Sequence, residues 1–147
     1  MSSRGSRDVQ KGPRDVQAPW HSGSLCNVYW NESYEKVFVR KGKPDDQAKI
    51  EATMRRMYCE HDHRNISEKK FKSQRAISVS GTKTMVWEFK SFQLRVYGVQ
   101  GSVNKKKTFF ATEVVPDKRD DKADPNVLKR AAEKGIDFAA SIKAGKL

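Results

Sequence analysis

Apolar and polar positions alternate with a two-residue period over much of the second half of the chain, the pattern of strands that bury one face. In TKTMVWEF, Met85, Trp87 and Phe89 share one face, and Thr84, Val86 and Glu88 share the other. In KSFQLRVYG, Phe92, Leu94 and Val96 fall opposite Ser91, Gln93, Arg95 and Tyr97. The phase changes at Lys90 and Ser91, which predicts a tight turn between the two strands. GSVNKKK, with Gly101 and Asn104 as turn formers, predicts a second turn. TFFATEVV is then a third strand, ended by Pro116. Residues 61–81 read as a polar, lysine-rich loop holding one short strand at 76–79, so the expected unit is an antiparallel meander from about 76 to 115.

Helical periods flank the meander. In KPDDQAKIEATMRRMYCE, Pro44 suits a first helical position and Asp45 and Asp46 complement the helix dipole. Ile50, Met54, Met57 and Tyr58 recur on one face, predicting an amphipathic helix of about four turns. Asp124 followed by Pro125 marks a second helix start, with Leu128, Ala131 and Ala132 as its inward stripe; Gly135 either ends it or weakens its middle. LCNVYW at residues 25–30 is aromatic and β-branched enough for a strand. YEKVFVRKG fits a short helix capped by Ser33 or an extended segment through Val37, Phe38 and Val39. Residues 1–24 carry Gly, Pro and Ser with little apolar periodicity and are expected to be a flexible tail, leaving 25–147 as one α+β domain.

Composition sharpens this reading. Hydrophobic residues make up 36% and charged residues 33% of the 147-residue chain, which predicts a thin core under a large polar surface. Thirty Lys and Arg against 18 Asp and Glu give a formal charge of +12, enough to attract a polyanion and to make its binding salt-dependent. Nucleic acid is therefore the leading ligand class. Two cysteines make no disulfide framework, and no stretch approaches the length of a membrane helix, so a cytoplasmic protein with reduced thiols is expected.

The only metal-like cluster is CEHDH, with Cys59, His61, Asp62 and His63. Its spacing fits none of the paired ligand patterns of zinc sites and reads as a polar loop at a helix end, so neither metal nor cofactor is expected. Nucleophile elbows and phosphate-binding glycine loops are absent from the sequence. What remains is the polar face of the meander: Lys83, Glu88, Lys90, Arg95 and Tyr97, with Lys118, Arg119 and Lys122 of DKRDDK after the third strand. If these converge they can hold RNA phosphates, with Tyr97 stacking a base; otherwise they form an ordinary solvated face.

VWEFKSFQLRVYG followed by KTFFATEVVPDKRDDKADPNVLKRAAEKG resembles the C-terminal two-thirds of the RelE/ParE toxin superfamily, particularly its HigB-like, phage-associated branch. The shared order is a Glu-bearing strand end, a strand with Arg before an aromatic, an aromatic-aliphatic strand, a basic turn and a final helix. The resemblance implies an N-terminal strand and a helical hairpin packed on a twisted antiparallel sheet with a C-terminal helix, and on that ground residues 34–41 are expected to be helical. It implies the toxin of a type II toxin–antitoxin pair: a metal-independent endoribonuclease cutting messenger RNA on the ribosome, silenced by a small antitoxin of helix-turn-helix type. By position, Lys90, Arg95, Lys118, Arg119 and Glu88 would form the catalytic set. Arg95 and Arg119 would grip phosphate, Lys90 or Lys118 would move a proton, and Glu88 would serve as base or simply pair with Lys90 or Arg95 across the strands. Lys83, Tyr97, Lys107 and Lys122 would contact RNA. The chain departs from several of these nucleases in having its three His at positions 21, 61 and 63, away from the end of the sheet. A non-catalytic nucleic-acid-binding or topoisomerase-inhibiting module on the same fold is the alternative, and a non-toxic relative a third.

Overall fold

The computed structural model of the chain describes residues 18–119 and 122–143. Its strands are β1 (His21–Ser22), β2 (Cys26–Trp30), β3 (Phe71–Val79), β4 (Thr82–Ser91), β5 (Leu94–Val103) and β6 (Lys106–Val115). Its helices are α1 (Tyr34–Val39), α2 (Pro44–Ala52, prolonged through Thr53–Tyr58) and α3 (Pro125–Lys143). The strands form one sheet in the order β1-β2-β6-β5-β4-β3.

The fold is α+β, as expected, but the sheet is mixed. β3 to β6 form the antiparallel meander, whereas β2 runs parallel to β6, with Val28 opposite Phe109 and Trp30 opposite Ala111. β2 can occupy an interior position because all five of its residues are buried. Val28 and Trp30 join the core beneath the helical hairpin, while Tyr29 joins the cluster with Phe110 and Ile142 on the opposite side. A strand covered on both faces needs apolar residues at successive positions, and Val28, Tyr29 and Trp30 supply them.

The first helical layer is the hairpin α1–α2, whose Tyr34, Phe38, Ile50, Met54 and Tyr58 pack against Phe89, Val96 and Phe109. Residues 34–39 are indeed helical, wound in wide turns. Gln47 satisfies carbonyls at the α1 end, its amide donating to Val39 O at 3.2 Å and Gly42 O at 2.6 Å. The final stretch of α2 also widens, with the Cys59 amide reaching back to Met54 O at 2.9 Å, and Met54 and Tyr58 remain buried there.

α3 forms the second layer, on the other face. Asp124 caps it by accepting from the Asn126 amide at 2.8 Å. Ala131, Ala132 and Gly135 keep its inner surface low; a Cβ on Gly135 would lie 2.5 Å from a methyl of Val99. Gly135 therefore neither ends nor interrupts the helix, which runs on to Lys143, but admits close contact with β5.

Four expectations are corrected. β3 is a nine-residue strand, not a short one at 76–79. The domain begins before residue 25: Ser22 of β1 pairs with Asn27, and the Trp20 ring lies 4.3 Å from that of Tyr34. The rest of the expected tail, 1–17, lies outside the described residues. Phe92 is not on the Leu94–Val96 face; it sits in the β4–β5 turn with φ +53°, its side chain exposed. The β5–β6 turn is made by Asn104 and Lys105, both at positive φ, with Gly101 inside β5.

Candidate nucleic-acid interface

The alternation of β4 and β5 puts Glu88, Lys90, Arg95 and Tyr97 on the α3 side of the sheet, where Tyr97 packs with Val86, Leu128 and Ala131. Cross-strand register sets Glu88 opposite Tyr97 and Lys90 opposite Arg95, and Arg95 lies opposite Val115 of β6.

Glu88 is 1% exposed and its carboxylate is fully engaged. Arg95 Nε donates to one oxygen at 2.8 Å, Gln74 Nε2 donates to the other, and the Tyr97 hydroxyl also bonds to it. Gln74 reaches Glu88 because β3 bulges between Ser73 and Arg75, which re-aims the side chain at the bulge. Arg95 Nη1 in turn donates to the carbonyls of Phe92 and Leu94. Burial, then the negative charge of Glu88, pushes the Tyr97 phenol well above its ordinary range. This is a closed polar knot holding β3, β4, β5 and the turn together. Of the two roles open to Glu88, the structure displays pairing with Arg95. Tyr97, 1% exposed under α3, has no face on which a base could stack, and that expected role is withdrawn.

Lys90 stands at the open edge of the knot, half-buried, with Lys72 beside it. Burial, and next the neighbouring Lys72 ammonium, holds its pKa below the ordinary lysine value. Lys72 was not singled out in the sequence; only the β3–β4 register, which sets it opposite Glu88, reveals it.

The segment after β6 folds back to the same end of the sheet. The Lys118 amide donates to Gln93 O in the β4–β5 turn at 2.9 Å, and Lys118 Nζ donates to Lys122 O. Lys118, Arg119 and Lys122, with Tyr97, Val115 and Asp124, border a hollow of about 380 Å³. Lys90, Arg95 and Lys118 are thus gathered at one end of the sheet, with Arg119 and Lys122 on the rim of the hollow beside them.

Two expected RNA contacts lie elsewhere. Lys83 is seven positions from Lys90 along β4, at the far hairpin, and on the opposite face by alternation. Lys107 is the second residue of β6, where its Nζ lies 2.8 Å from His63 Nε2. The CEHDH side chains serve separate contacts: Cys59 is buried as a free thiol, its pKa pushed up to about 12 by burial, Asp62 binds Arg64, and the His63 ring packs edge-on against Trp87. Among the described residues, no three His, Cys, Asp or Glu side chains are grouped to hold a metal ion.

Fold and surface together define a small α+β protein with a cation-bordered sheet end, and among its described residues no helix is long and apolar enough to cross a membrane. No protein-family model, curated protein or solved structure matches the chain.

Proposed function

We propose that the protein binds RNA at this end of the sheet and cleaves it without a metal ion, as the toxin of a two-gene pair acting on translated messenger RNA and silenced by a small antitoxin. The observation that carries the reading is the return of the Lys118 segment onto the β4–β5 turn, which brings cations from β4 and from the β6–α3 connection to one place. The α+β architecture with a C-terminal helix supports the reading, while the six-stranded mixed sheet has more strands than a typical RelE fold.

The roles differ from those first assigned. Glu88 and Arg95 are the scaffold. Lys118 and Arg119 neutralise phosphate oxygens, and Lys90 takes the proton as the ribose 2′-oxygen attacks the adjacent phosphorus. The bond to the 5′-oxygen breaks, that oxygen acquires a proton from a neighbouring ammonium such as Lys72, and the products are a 2′,3′-cyclic phosphate and a 5′-hydroxyl. A lysine serves as base only when neutral, so its lowered pKa raises the competent fraction at a given pH.

The test is induction of the chain in growing cells with mapping of 5′-hydroxyl RNA ends. Growth arrest with new ends in coding regions is expected, lost in Lys90→Met and Arg119→Ala. In vitro the rate should climb with pH toward the Lys90 pKa, and Lys72→Met should move that profile upward. Arrest without new ends would reject cleavage. The non-catalytic binding module is the second reading, favoured by one observation: Glu88 is sealed and offers no free carboxylate base.

A further inference from the structure

On the hairpin side of the same sheet end lies a groove of about 580 Å³, between α2 and the β4–β5 turn. Lys49 and Arg56 border it from α2 and its extension, Lys69 and Lys70 from the segment before β3, and Lys90 and Phe92 from the strand end and turn. Among the described residues no carboxylate lines it. Two acidic side chains of α2 are engaged elsewhere: Asp46 is buried and accepts from Ser91 Oγ at 2.9 Å, while Glu51 accepts from Tyr34 and His21. Among the described residues no ion pair within 4 Å involves Lys49, Arg56, Lys69 or Lys70, so their charge has no ion-pair partner there.

Phe92 gives the groove a second property. It is 69% exposed, the most open large hydrophobic side chain in the described molecule, and its φ of +53° lies where aromatic residues seldom sit. Lys43 Nζ stands 5.6 Å from the ring centroid. The walls are tied to each other, since the Lys90 amide donates to Lys70 O at 2.9 Å. A group of exposed cations beside an exposed ring is the arrangement that binds single-stranded nucleic acid, the cations meeting the phosphates and the ring stacking a base. An acidic peptide would use the cations but not the face of the ring.

We infer that this groove is a track for single-stranded RNA that leads past the sheet end to the proposed cleavage site, Lys90 bordering the groove while its side chain belongs to the α3 face. The inference shares its ligand class with the reading above but does not need cleavage to occur.

The experiment is fluorescence anisotropy of the full chain with fluorescein-labelled oligouridine, and with labelled polyglutamate as the acidic-peptide probe. Oligouridine should bind, and much more tightly than polyglutamate. Lys49→Ala combined with Lys70→Ala should weaken RNA binding at least about tenfold through two lost phosphate contacts. Phe92→Asn, which suits the turn's backbone, should weaken it by about tenfold through loss of stacking while leaving the salt dependence unchanged. Lys83→Ala, at the far end of β4, should change nothing. No oligouridine binding, unaltered affinity in both groove variants, or equal affinity for polyglutamate would overturn the track. Groove-dependent binding with no RNA cleavage would instead sustain the track and remove the nuclease reading.

Discussion

At the scale of single residues, the Glu88–Arg95 pair decides how any variant of the sheet end should be read. Both side chains are nearly inaccessible, 1% and 11% exposed, so each is the compensation for the other's charge. Truncating one partner of such a pair costs about 3 to 5 kcal/mol, whereas replacing both with apolar residues of similar volume is close to neutral. Glu88→Leu and Arg95→Met are each expected to lower the urea midpoint by an amount corresponding to about 3 kcal/mol or more. The double variant should recover most of that loss, less what the stranded Gln74 amide and Tyr97 hydroxyl cost. If the two single effects simply add, the pair is not the keystone described. The consequence for function is direct: loss of growth arrest in an Arg95 variant would report on folding before it reported on phosphate binding. Lys90, Lys118 and Arg119 are the positions at which chemistry can be separated from stability.

At the scale of elements, α3 shows how a poor helix residue can be the right one. Gly135 costs the helix about 1 kcal/mol relative to Ala. A Cβ there would, however, fall 2.5 and 3.0 Å from the two Val99 methyls, and overpacking of that kind costs about 1 to 3 kcal/mol. Gly135→Ala should therefore lower thermal stability despite its better propensity, and adding Val99→Ala should reverse the loss; a stabilised single variant would mean that α3 rides higher on the sheet. The sequence disclosed Asp124, Pro125 and the alanine stripe of this helix, but not the contact that gives Gly135 its purpose. β4 was legible because its faces alternate, β6 because an aromatic and β-branched run is stopped by Pro116, and α2 because Pro44 and its apolar spacing act locally. β3 was not: it is an edge strand with much of its surface exposed, and the bulge at Gln74 breaks its period. The parallel pairing of β2 with β6 was equally hidden, because a strand buried on both faces has no alternation to reveal its neighbour. Phe92 misled because a left-handed turn at an aromatic residue contradicts local preference. For the candidate site, alternation placed Arg95 and Tyr97 on one face correctly but could not say that α3 would cover it.

At the scale of the whole molecule, the +12 charge acquires a direction. Cations of the groove on the hairpin side and of the hollow on the α3 side meet at one end of the sheet, with Lys90 between them, whereas Lys83 and Lys107 lie away from it. Counterion release turns this arrangement into a number, since each phosphate neutralised on a single strand contributes about −0.7 to the slope of log K against log salt. A strand held by Lys49, Arg56, Lys69 and Lys70 alone should show a slope near about −2.8, weakening about fiftyfold between about 50 and about 200 mM salt. A strand running on over Lys90, Lys118, Arg119 and Lys122 should approach about −5.6. Affinity titrated against salt for a short and a long oligouridine separates these cases: if the track is continuous, only the long one reaches the steeper slope, and Arg119→Ala flattens it by about 0.7 while leaving the short one untouched. Identical slopes for both lengths would mean that groove and hollow do not share a strand, and that cations gathered at one end of the sheet serve two separate ligands.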